Sequence, residues 1–146
     1  MRTRSEQEHQ LVEAVRRADG LLIATPGYHG GPSGLLKNAL DLLEDLRDDD
    51  RPYLHGRAVG CIVCASGTQS AGTALVALRS TVHALRGWPT PLGATLNTSG
   101  ELFDAQGNLA DASTSALLRQ IGEQVVHFAQ ARRLRADQTR RQPQCE

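Results

Sequence analysis

The chain has 146 residues, room for one domain and not for two. Its sixteen basic and sixteen acidic side chains cancel, so no net charge drives it toward nucleic acid or an anionic membrane. No run approaches the roughly 18 apolar residues that span a bilayer, and the polar start MRTRSEQEHQ lacks a signal peptide's apolar stretch; the expected compartment is the cytoplasm.

Residues 5–20 read as a helix. Ser5 and Glu8 form a capping box, and Leu11, Val12, Val15 and Ala18 supply one apolar face. Asp19-Gly20 closes it. LLIAT at 21–25 is a short continuous apolar run, the pattern of a parallel strand covered on both faces. PGYHGGPSG at 26–34 reads as a loop. A second helix spans 34–46, with apolar positions 35, 36, 39, 40, 42, 43 and 46. The charged RDDDRPYLHG is a surface connection. A second buried strand, 57–65, leads into a small-residue loop at 66–72. A third helix follows at 73–87, with Leu75, Leu78, Val82 and Leu85 inward. Pro89 and Pro91 bracket the entry to a third strand at 92–97. A long loop with a small turn between Phe103 and Leu109 precedes the last helix, 113–134, whose inner positions are Leu117, Leu118, Ile121, Val125 and Phe128. Residues 1–135 form the domain, and 136–146 are expected to be a disordered tail; Arg132, Arg133, Arg135, Arg140 and Arg141 read as a solvated end and not as a nucleic-acid site.

Strands alternating with helices imply α/β architecture: a parallel sheet, right-handed crossovers and helices on both faces. Ligands of such folds bind beyond the carboxyl ends of the strands. The loops 26–34 and 66–72 both follow strands and belong at that edge, side by side. Cys61 and Cys64 form a C-x-x-C pair, but three residues apart on a strand they point to opposite faces. They read as packing residues and not as a metal site or redox pair. Cys145 lies in the polar tail.

Loop 26–34 holds four glycines and two prolines in nine residues. Glycines let backbone N–H groups approach a flat ligand with no Cβ in the way. Tyr28, one of five aromatic residues in the chain, sits on it. The same composition also suits a turn that starts a helix, with Pro32 near the first helical position. No G-x-x-x-x-G-K-[ST] spacing is present, and Lys37 lies inside the helix, so this is not a phosphate P-loop. Ser66-Gly67-Thr68-Gln69-Ser70-Ala71-Gly72 suits a polar ring edge or an anion at a helix N-terminus, and equally an ordinary helix start.

Taken with their flanks, the two loops resemble the NADPH-dependent FMN reductase family. The resemblance rests on Pro26-Gly27-Tyr28-His29-Gly30 followed by Lys37-Asn38-Ala39-Leu40-Asp41, and on HGRAVGCIVCASGTQSAG and FDAQGNLAD; it spans residues 11–130. It implies a flavodoxin-like three-layer parallel sheet of order 2-1-3-4-5 with FMN at its switch point. Pro26, Gly27, Tyr28, His29 and Gly30 would line the isoalloxazine ring with backbone N–H groups toward N5 and O4. Ser66, Gly67, Thr68 and Gly72 would meet the pyrimidine edge. NADPH or NADH would pass hydride to the flavin, which would reduce a free flavin, a quinone or a similar small acceptor. The cofactor does this chemistry, so no catalytic side chain and no metal is expected. The family usually forms homodimers or tetramers.

Three departures stand out. Gly27 occupies a position often held by Glu, and His29 one often held by Asn. The family's opening strand and its Ser/Arg loop, which grips the FMN phosphate, have no counterpart here. The expectation is an N-terminally shortened chain that binds FMN weakly or not at all. The alternative reading is a catalytically inactive flavodoxin-like remnant or interaction subunit.

Overall fold

The computed structural model describes residues 3–141. Helix α1 (Glu6–Arg17) opens on the expected capping box: Ser5 Oγ accepts from the Glu8 amide at 3.2 Å, and the Glu8 carboxylate accepts from the Ser5 amide at 2.7 Å. Val12 and Val15 are buried, whereas Leu11 stays exposed.

Strand β1 (Gly20–Tyr28) extends past LLIAT through Pro26, Gly27 and Tyr28. It pairs in parallel with β3 (Ala58–Ala65), from Gly20↔Ala58 to Pro26↔Cys64. It then folds back on the two-residue β2 (Gly31–Pro32), with Gly27↔Pro32 and Tyr28↔Gly31 in antiparallel register. The segment expected to be an open loop is therefore largely a tight hairpin. Its two turn residues, His29 (φ 50°) and Gly30 (φ 82°), are both left-handed. That is the turn whose twist matches flanking strands. His tolerates the left-handed region better than most side chains, and Pro32 is allowed because an edge strand needs no ladder donor there.

Helix α2 (Gly34–Asp41) passes into a 3-10 turn, Leu42–Leu46, so the expected single helix 34–46 changes pitch midway. Leu40, Leu43 and Leu46 are buried, while Leu35 points to solvent. Helix α3 (Thr68–Ala84) begins at Thr68 and not at Thr73. Gly67, extended at φ −114° and ψ 130°, is its N-cap, so most of the expected loop 66–72 is the helix's first turns. Beyond it, β4 (Trp88–Pro89) and β5 (Ala94–Asn97) both pair in parallel with β3. The proline in β4 hid it from a periodicity reading. Phe103 and Leu109 are bridged, as the expected small turn requires.

Helix α4 (Ala112–Arg141) runs past the expected domain limit at 135. Residues 136–141 of the expected tail continue this helix, and no Gly or Pro interrupts the sequence between Gly122 and Pro143. The rest of the expected tail, Cys145 included, lies outside the described residues.

The sheet order is β2-β1-β3-β4, with β5 also on β3. One face carries α1, the 3-10 turn and α3, whose buried Val12, Val15, Leu43, Leu46, Leu78 and Val82 pack with Val59, Cys61 and Val63 of β3. The other face carries α4, whose Ile121 packs with Ala94 and Leu96 of β5 and with Ile62 and Cys64. Helices on both faces of a mostly parallel sheet make the three-layer α/β arrangement expected. Cys61 and Cys64 lie in different layers, so they cannot act as a pair; burial pushes the Cys61 thiol up to about 11.

One buried cation ties the layers together at the sheet's opposite end. Arg57 is 1% exposed. Its guanidinium donates to the carbonyls of Arg16 (2.8 Å), Ala18 (3.0 Å), Tyr53 (3.0 Å) and Arg51 (3.4 Å). It thus satisfies carbonyls at the end of α1, which have no intrahelical donor.

Candidate functional site

At the carboxyl ends of β1 and β3 the two small-residue segments meet. The base of the hairpin is closed by a polar clamp: the Ser33 amide donates to Thr25 Oγ1 at 3.1 Å, and Ser33 Oγ accepts from the Leu36 amide at 3.2 Å as the N-cap of α2. The tip is tied to α3 by the Gly30 amide, which donates to Ser70 Oγ at 3.3 Å. Thr25, Ser33 and Ser70 were not among the expected site residues. The P-S-G spacing before an apolar helix was the signal for Ser33; Ser70 carried none, because it acts across forty residues.

All nine expected residues lie on this ledge. Pro26, Gly27, Tyr28, His29 and Gly30 form the hairpin, and Ser66, Gly67, Thr68 and Gly72 form the end of β3 and the start of α3. Tyr28 is 62% exposed, so its ring is free to contact a ligand. Their roles differ. A Cβ at Gly27 would lie 3.0 Å from Val63 Cγ1 and 3.3 Å from Ala74 Cβ, so Gly27 is bare because β1 packs closely on its neighbours. Gly30's amide is taken by Ser70, which leaves it engaged within the protein and not turned toward a ring. Gly67 and Gly72 face open space, with nothing within 4 Å of an added Cβ.

Hydrogen-bond donors come instead from the start of α3. The amides of Thr68, Gln69 and Ser70 precede the first residue with an intrahelical acceptor, and Gly67 supplies no capping side chain. The segments 26–34 and 66–73 contain no Lys, Arg, Asp or Glu. The helix's positive end is thus the main fixed field on the ledge. Lys37, close in sequence, is held by Asp41 at 2.7 Å on the outer side of α2.

The ledge is open. Open grooves lie elsewhere: one of about 640 Å³ between α1 and α2, lined by Leu11, Leu35 and Asn38, and others along α4. Among the described residues no group of His, Cys, Asp and Glu could hold a metal ion, and no helix is long and apolar enough to cross a membrane. The residues present fit one face and one edge of a flat polar ring: an exposed aromatic side chain, uncapped amides, and glycines where a Cβ would fill the space.

A profile of the NADPH-dependent FMN reductase family matches residues 3–100. The chain is 33% identical over 109 residues to an NAD(P)H-dependent FMN reductase of Pseudomonas aeruginosa, covering 74% of this chain and 57% of that protein. It is 33% identical over 120 residues to an FMN-dependent NADPH-azoreductase of Staphylococcus aureus, covering 81% and 60%. The chain therefore spans less than two thirds of the length of these relatives. Among solved structures, RosB with a bound riboflavin-phosphate intermediate superimposes with a TM-score of 0.70 at 22% identity, over 88% of this chain and 54% of that one. FerB, a flavoenzyme NAD(P)H:(acceptor) oxidoreductase of Paracoccus denitrificans, gives 0.66 at 20%, over 86% and 67%. At those identities the structures establish the shared flavodoxin-like fold. The length of the sequence match establishes more: this chain belongs to the NADPH-dependent FMN reductase family.

Proposed function

We propose that the chain is the ring-binding part of an FMN-dependent NAD(P)H oxidoreductase that reduces a flavin, a quinone or a similar small acceptor. The observation that carries this reading is the Gly30–Ser70 hydrogen bond, which joins the hairpin and the start of α3 into one continuous ledge. FMN, when bound, supplies hydride acceptance and donation. The chain's own contribution is placement. Tyr28 flanks the ring, the Thr25–Ser33 clamp holds the hairpin's angle, and the uncapped amides of Thr68 to Ser70 meet the polar edge. Pro26, Gly27, His29, Gly30, Ser66, Gly67 and Gly72 complete the surface. NADPH or NADH reaches the open side. A cytoplasmic setting and a homodimer or tetramer belong to the same proposal.

A second reading, a catalytically inactive remnant or interaction subunit, draws on one observation: no Lys or Arg stands on the ledge to hold the FMN phosphate. Titration of the purified chain with FMN, followed by flavin fluorescence, and then NADPH oxidation in the presence of a quinone separate the two. Saturable quenching with NADPH turnover supports the enzyme. Quenching without turnover, or no quenching at all, supports the inactive remnant or interaction subunit and defeats the enzyme.

A further inference from the structure

We propose that Ser70 is a positioning residue of the flavin ledge: its hydroxyl pins the tip of the hairpin to α3 and so sets how well the two segments meet one flat ring. This rests on the flavin reading above and adds a residue to it.

The hydroxyls of α3 single Ser70 out. Inside a helix such a side chain commonly turns back on the carbonyl four residues earlier. Thr73 does so to Gln69 at 3.0 Å, and Thr81 does so to Ala77 at 2.9 Å. Ser70 does not. Among the described residues its side chain makes one hydrogen bond, accepted by Oγ from the Gly30 amide at 3.3 Å. Ser70 and Thr73 lie three apart and share a helix face. The Thr73 methyl stands 3.4 Å from where a Cβ on Gly30 would lie. One hydroxyl and one methyl of α3 thus meet the same turn residue.

Neither element needs this bond to form. The hairpin is closed by the pairs Gly27↔Pro32 and Tyr28↔Gly31 and by the Thr25–Ser33 clamp at its base. Helix α3 winds through its own backbone bonds from Ala71 onward. What the bond adds is the angle between hairpin and helix. Without it the tip spends part of its time away from α3, and a ring that must touch both segments binds only the fraction of molecules with the tip in place.

The test uses the full chain and riboflavin, which carries the ring without the phosphate. Ser70→Ala should weaken riboflavin binding about three- to tenfold, the worth of one neutral hydrogen bond. In the free chain it should speed exchange of the Gly30 amide by a similar factor. Ser70→Thr keeps the hydroxyl and should bind like the parent. Ser80→Ala, an exposed serine farther along α3, should change neither quantity. Thermal melting accompanies each variant; Ser70→Ala should fold and melt within about 4 °C of the parent. Unchanged riboflavin affinity or Gly30 exchange in Ser70→Ala overturns the proposal and leaves the flavin reading standing, and so does a Ser70→Thr chain as weak as Ser70→Ala. A Ser70→Ala chain that does not fold also overturns it, because the bond would then serve the fold and not the ring. A parent that binds no riboflavin overturns the proposal and the flavin reading together.

Discussion

Replacing Gly67 by Asp should make the protein more stable and its flavin binding weaker. Gly67 is the N-cap of α3 and has ordinary extended backbone angles, φ −114° and ψ 130°. An added Cβ meets nothing within 4 Å, so the substitution introduces no clash. Aspartate at an N-cap is better than glycine by a few tenths of a kcal/mol, and a negative charge at the helix's first turn adds about 0.3–1 kcal/mol. The sum is about 0.5–1 kcal/mol, which for a domain of this size raises Tm by roughly 1–4 °C. The same side chain fills space the ring needs and occupies the Thr68–Ser70 donors. Flavin affinity should fall at least about tenfold, or about 1.4 kcal/mol. Calorimetric melting gives one sign and flavin fluorescence titration gives the other. Equal affinity for the variant and the parent would remove the ring from this ledge. A drop in both quantities would mean that Gly67 matters for folding and not for the ligand. Gly30→Val is a poorer probe. At φ 82° it carries a backbone cost of about 1–3 kcal/mol and would report on the hairpin turn.

Arg57→Ala leaves four carbonyls without their charged donor. At about 1–3 kcal/mol for each buried acceptor left unmade, with partial rescue by water, the loss should be about 3–5 kcal/mol in urea denaturation, a large share of a typical 5–15 kcal/mol. Cys61, buried and with its thiol pushed up to about 11, should stay unlabelled by thiol reagents in the native protein while Cys64 reacts; mass mapping after labelling checks this. The Asp19 carboxylate is held below its ordinary pKa by its hydrogen bond to Arg133 and by Arg51 nearby. A depressed carboxyl pKa stabilises the fold above the unfolded value near 4 and loses that contribution as pH falls through the folded value. Urea midpoints from pH 7 to 3 should therefore fall more steeply for the parent than for Asp19→Asn.

The strands and helices were legible where hydrophobic period and capping agreed. The Ser5–Glu8 box, the β3 run and the Cys61–Cys64 split between layers all followed from local rules. The hairpin at 26–32 was not legible as one. Gly and Pro mark a turn, but only the left-handed pair His29-Gly30 specifies which turn, and His-Gly is an uncommon signal for it. The start of α3 was misplaced because Ser, Thr and Gly serve a loop and a first helical turn equally well. The Gly30–Ser70 tie, the Thr25–Ser33 clamp and the Arg57 anchor connect residues far apart along the chain. Each depends on where the sheet puts the chain, which no window of sequence contains. The end of α4 reads as polar tail or as exposed helix by composition alone, and only the absence of a breaker before Pro143 favours the helix.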